Sequence, residues 1–348
     1  MNVKFATPIL LFGVLTTGQS MAAKPTPPPP PPPPVTSCPG VFPAYAFTRD
    51  VTNVKGNRTI VVSTDLLVAN ETGECFIKIA NSSNGIGVQG YRQNGANGRI
   101  IFDTNSGLGM VNITASGGSV TSATPILPVY NNVAYHTVAL SKDANTIYLI
   151  DEVRDVNGNW VDTLKSVNIA SCSSNCSAEA ILFFGVNFSA NYLAVNDADD
   201  RLYFGHHAKA TNVQTISMIQ KSAGVWGTSM RQVVSNQDLN YPTDGGFETN
   251  AYGHWGDAEV LAITVLRSVG SEVQVLDITN CGPVGETSCL AAGEATVEAS
   301  AISGHGYLFG MRGASLLFVK DYSYSSRFDL VSLTSSPLLQ CRNIRSGE

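Results

Sequence analysis

Charge is scarce in this chain. Asp, Glu, Lys and Arg make up 14% of its 348 residues, the formal net charge is −6, and no basic cluster occurs. Nucleic acid and anionic membrane surfaces are held by Lys and Arg against phosphate, so both are poor partners and no nucleic-acid binding is expected. Long apolar runs are also missing. Beyond residues 5–15 none approaches the length of a membrane-spanning helix, which argues against membrane insertion. Helical periodicity is nearly absent; the one candidate for a short helix or loop is residues 213–221. Gly, Ser, Thr, Asn and Val are abundant instead, a balance suited to short strands joined by tight turns. The class is all-β.

The first residues read as an export signal. Lys4 precedes the apolar stretch 5–15, and Ser20-Met21-Ala22 supplies small residues for cleavage. No Cys follows that stretch directly, which argues against a lipid anchor. Residues 1–22 are therefore expected to be a signal peptide, and the protein to work in the periplasm or outside the cell. Pro25 and the run 27–34 make residues 23–37 a polyproline II spacer rising ~3.1 Å per residue. The folded domain is expected over 38–348.

Seven cysteines all lie in that domain, and export permits their oxidation. Cys172 with Cys176 and Cys281 with Cys289 are close pairs that follow similar strand endings. They read as local disulfides pinning the loop from one sheet's outer strand to the next sheet. Zinc would need four ligands, and no His stands near either pair. Of Cys38, Cys75 and Cys341 one must be left over, and Cys38–Cys75 is the expected bridge.

A short pattern recurs along the chain. Ala139-Leu140-Ser141-Lys142-Asp143-Ala144-Asn145-Thr146-Ile147-Tyr148-Leu149 returns as Ala194-Val195-Asn196-Asp197-Ala198-Asp199-Asp200-Arg201-Leu202-Tyr203-Phe204. Weaker echoes are Asn97-Gly98-Arg99-Ile100-Ile101-Phe102 and Gly256-Asp257-Ala258-Glu259-Val260-Leu261. Each is a turn rich in Asp or Asn feeding an apolar strand. A strand, turn, strand unit returning every ~45–60 residues points to a repeat architecture, with a propeller leading among all-β folds. Further strands read at 44–47, 59–63, 74–79, 110–113, 163–169, 180–186, 192–195, 272–278, 306–311, 315–319 and 328–333, with a hairpin tip at Asn157-Gly158-Asn159. The expectation is a single β-propeller of about six four-stranded blades, whose last blade is completed by the N-terminal strand.

Ser141-Lys142-Asp143-Ala144-Asn145-Thr146-Ile147-Tyr148 resembles the Ser-Pro-Asp-Gly-Lys-x-Ile-Tyr motif of TolB-like propellers, which also occurs in prolyl oligopeptidase relatives. Lys142 stands where the family has Pro, and Ala144 where it has Gly. The resemblance implies a periplasmic or extracellular propeller and not a particular partner, because propeller functions lie in grafted sites.

Candidate chemistry is thin. The acidic cluster Asn196-Asp197-Ala198-Asp199-Asp200 offers oxygens for Ca²⁺ but lacks the Gly and distal Glu of a calcium loop, and reads better as turn chemistry. His206 and His207 are adjacent on a strand and so face opposite sides. With His136, His254 and His305 they make a channel metal site conceivable, although no spacing demands it. Gly253-His254-Trp255-Gly256-Asp257 holds a His and a carboxylate, and reads better as Trp255 packed between blades before a turn. Tyr91, Tyr130, Tyr148, Tyr203, Trp160, Trp226 and Trp255 could line a ligand face, with burial expected for each. No Gly-x-Ser-x-Gly pentapeptide is present, which removes the peptidase reading. No catalytic, cofactor or metal residues are assigned. The expectation is an exported, non-catalytic scaffold that binds a protein or envelope component through one propeller face. The alternatives are a propeller enzyme of polysaccharide lyase or hydrolase type, or a self-assembling structural subunit.

Overall fold

The computed structural model describes residues 43–346, leaving out 57, 83–86, 117–118, 133–134, 209–210, 212, 241–246, 268–269, 304–306, 313–314, 321–323, 330–333 and 340–342. The expected signal peptide, the proline spacer, Cys38 and Cys341 lie outside the described residues.

Strands dominate. The first sheet contains β1 (Tyr45–Lys55), β2 (Arg58–Ala69) and β3 (Phe76–Ser82). The second has β4 (Val88–Asn94), β5 (Asn97–Thr104), β6 (Gly107–Ser116) and β7 (Ser119–Ala123), with β8 (Leu127–Tyr130) also on β6. The third has β9 (Tyr135–Leu140), β10 (Thr146–Arg154), β11 (Trp160–Asn168) and β12 (Ala178–Phe183). The fourth has β13 (Phe188–Val195), β14 (Arg201–Ala208), β15 (Gln214–Ser222), β16 (Val225–Trp226) and β17 (Arg231–Ser235). In the fifth, β18 (Phe247–Trp255), β19 (Ala258–Arg267) and β20 (Gly270–Asp277) lead through a short helix, α1 (Cys289–Ala292), to β21 (Thr296–Ser303). The sixth has β22 (Tyr307–Arg312), β23 (Ser315–Lys320), β24 (Tyr324–Asp329) and β25 (Thr334–Leu339). The last strand, β26 (Asn343–Ser346), returns to pair with β1, giving the first sheet the order β26-β1-β2-β3. All pairings are antiparallel.

The second strand of each sheet explains why the sheets pack as they do. Successive strand residues point to opposite faces. In β10, Ile147 and Leu149 enter the apolar core shared with the second sheet, while Tyr148 and Ile150 enter the core shared with the fourth. In β5, Ile100 and Phe102 face the first sheet and Ile101 the third. In β14, Leu202 and Phe204 face the third sheet and Tyr203 the fifth. In β19, Leu261 and Ile263 face the fourth and Val260 and Ala262 the sixth. Leu317 of β23 then packs with Tyr45, Phe47, Leu67 and Ile344 of the first sheet. Each such fully buried side chain contributes about 1.5–3 kcal/mol. The first strands touch in the same sequence, β4 to β9, β13, β18, β22, β26 and back to β4.

Four sequence expectations change. The segment expected as a short helix or loop, 213–221, lies almost wholly in the interior strand β15 (Gln214–Ser222). Ile216 and Met218 alternate onto one core and Ile219 onto the other, and pairing to β14 and β17 fixes the extended form. The shared sheet is completed by the C-terminal strand joining the first sheet, the reverse of the expected arrangement. The strand expected at 328–333 starts earlier, as β24, and 330–333 lie outside the described residues. The fourth change concerns loops as well as bonds. Cys172–Cys176 and Cys281–Cys289 are both disulfides. Each lies between the third and fourth strands of one sheet, not between sheets. Cys75, between β2 and β3, is also disulfide-bonded, to a partner outside the described residues.

The Cys281 loop is held firmly. Both its sulfurs are buried, and the buried Arg231 donates to the Thr287 carbonyl and pairs with Glu294 at 3.1 Å. Gly285 leaves room for that guanidinium, since a Cβ there would lie 2.1 Å from it. Replacing Cys281 and Cys289 with Ser is expected to cost about 2–3 kcal/mol by loop entropy, with a further loss from the buried site. The same change at Cys172 and Cys176, which are half-buried, should cost less. Urea denaturation of the two double variants checks the order.

Candidate functional site

In an antiparallel sheet the connection from first to second strand lies at the same end as that from third to fourth. The recurring sequence pattern falls on the first of these connections. It supplies the turn from β9 to β10 and from β13 to β14, and its weaker copies those from β4 to β5 and β18 to β19.

The turns are built by their own side chains. Asp143 accepts from Ser141 Oγ at 2.6 Å, from the Asn145 amide at 2.9 Å and from Asn145 Nδ2 at 3.0 Å. Partial burial would raise the Asp143 pKa, but these bonds and the Arg99 charge outweigh it and hold the carboxyl below its usual range. In the next sheet Asn196 Oδ1 accepts from the amides of Asp200 at 3.0 Å and Arg201 at 2.9 Å, and Asn196 Nδ2 donates to Asp200 at 2.7 Å. The acidic cluster is thus a turn whose oxygens are engaged, and among the described residues no set of three His, Cys, Asp or Glu is placed to hold a metal. Ala144 and Asp199 occupy matching left-handed positions, with φ of 61° and 55°.

The Tyr of the repeat has a task at the next turn. Tyr148 OH donates to Asp199 Oδ1 at 2.8 Å, and Lys221 Nζ reaches Asp199 Oδ2 at 2.9 Å and the Tyr148 oxygen at 3.1 Å. Lys221 also lies 4.6 Å above the Trp226 ring, which meets Tyr148 edge-on. Burial first, and then the Asp199 carboxylate, push the Tyr148 hydroxyl pKa far up, so it stays a donor. One sheet earlier, Arg99 donates to the Ala144 carbonyl and, at 3.3 Å, to Asn145 Oδ1. One sheet later, Tyr203 stacks on Tyr252 with ring centroids 6.0 Å apart, and Arg201 faces Glu259 at 3.5 Å. Side chains of the second strands β5, β10 and β14 therefore brace the neighbouring sheet.

A cavity of about 150 Å³ opens among these turns, lined by Arg92, Lys142, Asp197, Tyr252, Gly253, His254 and Met311. Five sheets, the second to the sixth, contribute to it. Asp197 is its anionic centre, 3.0 Å from Lys142 Nζ and 3.4 Å from His254 Nε2. Tyr252 OH lies 3.4 Å from the same His254 nitrogen and donates to Glu259 at 3.0 Å. Gly253 permits the close approach of β18 to β22, for a Cβ there would meet Met311 Cβ at 2.9 Å. Arg92, whose Nε donates to the Leu140 carbonyl at 3.3 Å, also lines a second groove of about 470 Å³ with Arg99, Asn94, Asn97, Asn112 and Asn145. The two linings together carry Arg92, Arg99 and Lys142 against Asp143 and Asp197, with several amides between them, a chemistry suited to polar, hydrogen-bonding ligands.

Of the residues singled out in the sequence, His254 reaches the cavity. His206 does not: it is paired with Ser217 Oγ at 2.9 Å and tilted against Phe188 and Phe204. Burial, with His207 beside it, lowers its pKa to about 4. The side chains of His136 and His305 lie outside the described residues. Tyr91, Tyr130, Tyr148 and Tyr203 are buried, Trp226 and Trp255 are half-buried, and Trp160 is exposed under the Arg154 guanidinium. Arg92 and Met311 were missed because neither lies within a copy of the turn pattern; a lone Arg in a strand of a charge-poor chain was the available signal.

Two outcomes are expected. Asp199→Ala should lose about 1–3 kcal/mol in urea denaturation, since it strands Tyr148 and Lys221, while Asp199→Asn keeps an acceptor and should lose less. His206 binds its proton more weakly folded, about 4, than its ordinary 6.5. Its contribution is complete above the unfolded value and is lost as pH falls from 6.5 towards 4, and His206→Asn should flatten that slope of stability against pH.

No protein-family model matches the sequence, and no curated protein matches it. Among solved structures, TolB from Acinetobacter baumannii aligns with a TM-score of 0.52 at 11% identity, covering 87% of this chain and 66% of that one. An oligogalacturonate lyase from Vibrio parahaemolyticus aligns at 0.46 and 8% identity over 86% of this chain and 87% of that one. A puromycin-hydrolyzing peptidase from Mycobacterium tuberculosis aligns at 0.45 and 11% identity over 85% and 44%. The chain spans just under two thirds of the TolB structure and under half of the peptidase. At these identities the likeness is one of fold alone, and at that level the chain is TolB-like.

Proposed function

We propose that this chain is an exported, six-bladed β-propeller that closes through β26 and works as a non-catalytic binding module. The cyclic contact of first strands and the packing of Leu317 on the first sheet support closure. The disulfides and the leader-like first residues support export. The observation that carries the binding reading is the cavity to which five sheets each bring a residue, with Arg92 and Lys142 beside Asp197 and His254. A pocket at the end of converging strands is where propellers place ligands, and these cations favour a protein or envelope component with an anionic group.

A second reading rests on the same cavity. His254 beside Asp197, with Tyr252 next to it, is a set able to move a proton, as a propeller lyase or hydrolase would require.

The test is capture from a cell-envelope extract with the purified protein and with its Arg92→Ala/Lys142→Ala variant, both checked for equal melting. Capture of one protein or glycan by the parent, reduced about tenfold or more in the variant, is expected from loss of two charge-assisted contacts. Equal capture by both would remove the cavity from the binding surface. Cleavage of the captured material, abolished in His254→Ala, would transfer the assignment to the enzyme reading.

A further inference from the structure

The second sheet changes character along the face it turns to the third. Ile101, Leu108 and Met110 are buried there, in the core that the two sheets share. Towards the turn end the same face becomes polar. Cross-strand partners share a face, and the register sets Arg92 of β4, Arg99 of β5 and Asn112 of β6 in one row, with Asn94, Asn97 and Thr114 in the next. These six line the groove of about 470 Å³, whose other wall is the turn Asp143-Ala144-Asn145 of the third sheet. Its volume falls within the roughly 300–1,000 Å³ of small-molecule sites. Arg92 and Arg99 are direct partners in that register, and like charges set opposite each other in a sheet repel. Arg99 donates to neutral oxygens, those of Ala144, of Asn145 and, at 2.9 Å, of Asn112. Asp143, the carboxylate on the rim, has its oxygens engaged by Ser141 and Asn145. An anion laid over the two guanidinium groups relieves their repulsion and accepts from both forks.

We propose that this groove is a binding site for an acidic oligosaccharide, a sugar chain that carries carboxylates. The two arginines take a carboxylate. The amides of Asn94, Asn97 and Asn112, each with donors and an acceptor, take the ring hydroxyls. A peptide suits the groove less well. Bound peptides use apolar pockets or a strand edge, whereas this lining is the face of a sheet, and its apolar members Ile113 and Ala144 are buried in the cores to either side. Single-stranded nucleic acid stacks its bases on aromatic side chains, and none lines the groove. The groove is a site of its own. Of its lining only Arg92 also borders the cavity, so the assignment stands whether or not the cavity binds.

Isothermal titration calorimetry of the purified protein with alginate and hyaluronan tetrasaccharides tests the site. At least one of these acidic chains is expected to bind saturably, and cellotetraose, an uncharged chain, about tenfold or more weaker, as loss of a charge-assisted contact requires. Arg99→Gln keeps hydrogen-bond donors without the charge and should weaken the acidic chain about tenfold. Because Arg99 also braces the next turn, Asn94→Ala/Asn97→Ala is the second variant. Both positions are exposed, so melting should not move while affinity falls about threefold or more. Failure of both acidic chains to bind, equal affinity for cellotetraose, equal affinity for tetraglutamate or inorganic phosphate, or full affinity in the double variant would each overturn the proposal.

Discussion

Everything in this structure depends on second strands that are buried on both faces. A strand such as Ile147-Tyr148-Leu149-Ile150 cannot satisfy its two apolar rows within its own sheet, because each row needs a facing layer. Sheets are thereby forced into succession, each supplying the cover for the next. The sixth sheet meets the same demand by packing Leu317 on the first, where Ile344 of the returning C-terminal strand is buried beside Tyr45 and Phe47. No sheet in such an arrangement is a folding unit by itself, so loss of one core is felt by its two neighbours.

The polar groups at the turn end follow from that packing. Once sheets are stacked at a fixed separation, the turn of one lies within reach of the second strand of the one before. Tyr148 on Asp199 and Arg99 on Ala144 are two solutions to the same geometric opportunity, one using a hydroxyl and one a guanidinium. These bonds occupy most of the turn oxygens. The groups that remain directed to the centre, Lys142, Asp197 and His254, are the ones the cavity inherits. A single five-residue turn thus serves two places: Asp199 holds a neighbouring sheet, while Asp197, two residues earlier, lines the cavity.

Two hairpins run past the strands that flank them: β1 and β2 beyond Thr48 and Thr64, and β10 and β11 beyond Asp151 and Thr163, each with apolar side chains in water. A chain that places its charges so sparingly elsewhere has put Lys55 and Arg58 at the tip of the first hairpin and Asp50 and Asp65 at its base.

The sequence by itself determined the class, the strands and much of the local chemistry. Alternation and β-branched runs made β10, β14, β19 and β23 legible, and Asp and Asn with their short side chains marked the turns, because those signals are local. The disulfides Cys172–Cys176 and Cys281–Cys289 were legible for the same reason, their partners being a few residues apart. Tertiary structure decided the rest. Whether 213–221 would be helix or strand depended on two flanking strands, and which terminus would complete the shared sheet depended on a pairing nearly the whole length of the chain away. The cavity was least legible of all. Lys142 and Asp197 hold the same place in the repeat, but Arg92, His254 and Met311 lie outside it, and the five meet only because packing brings five sheets to one end.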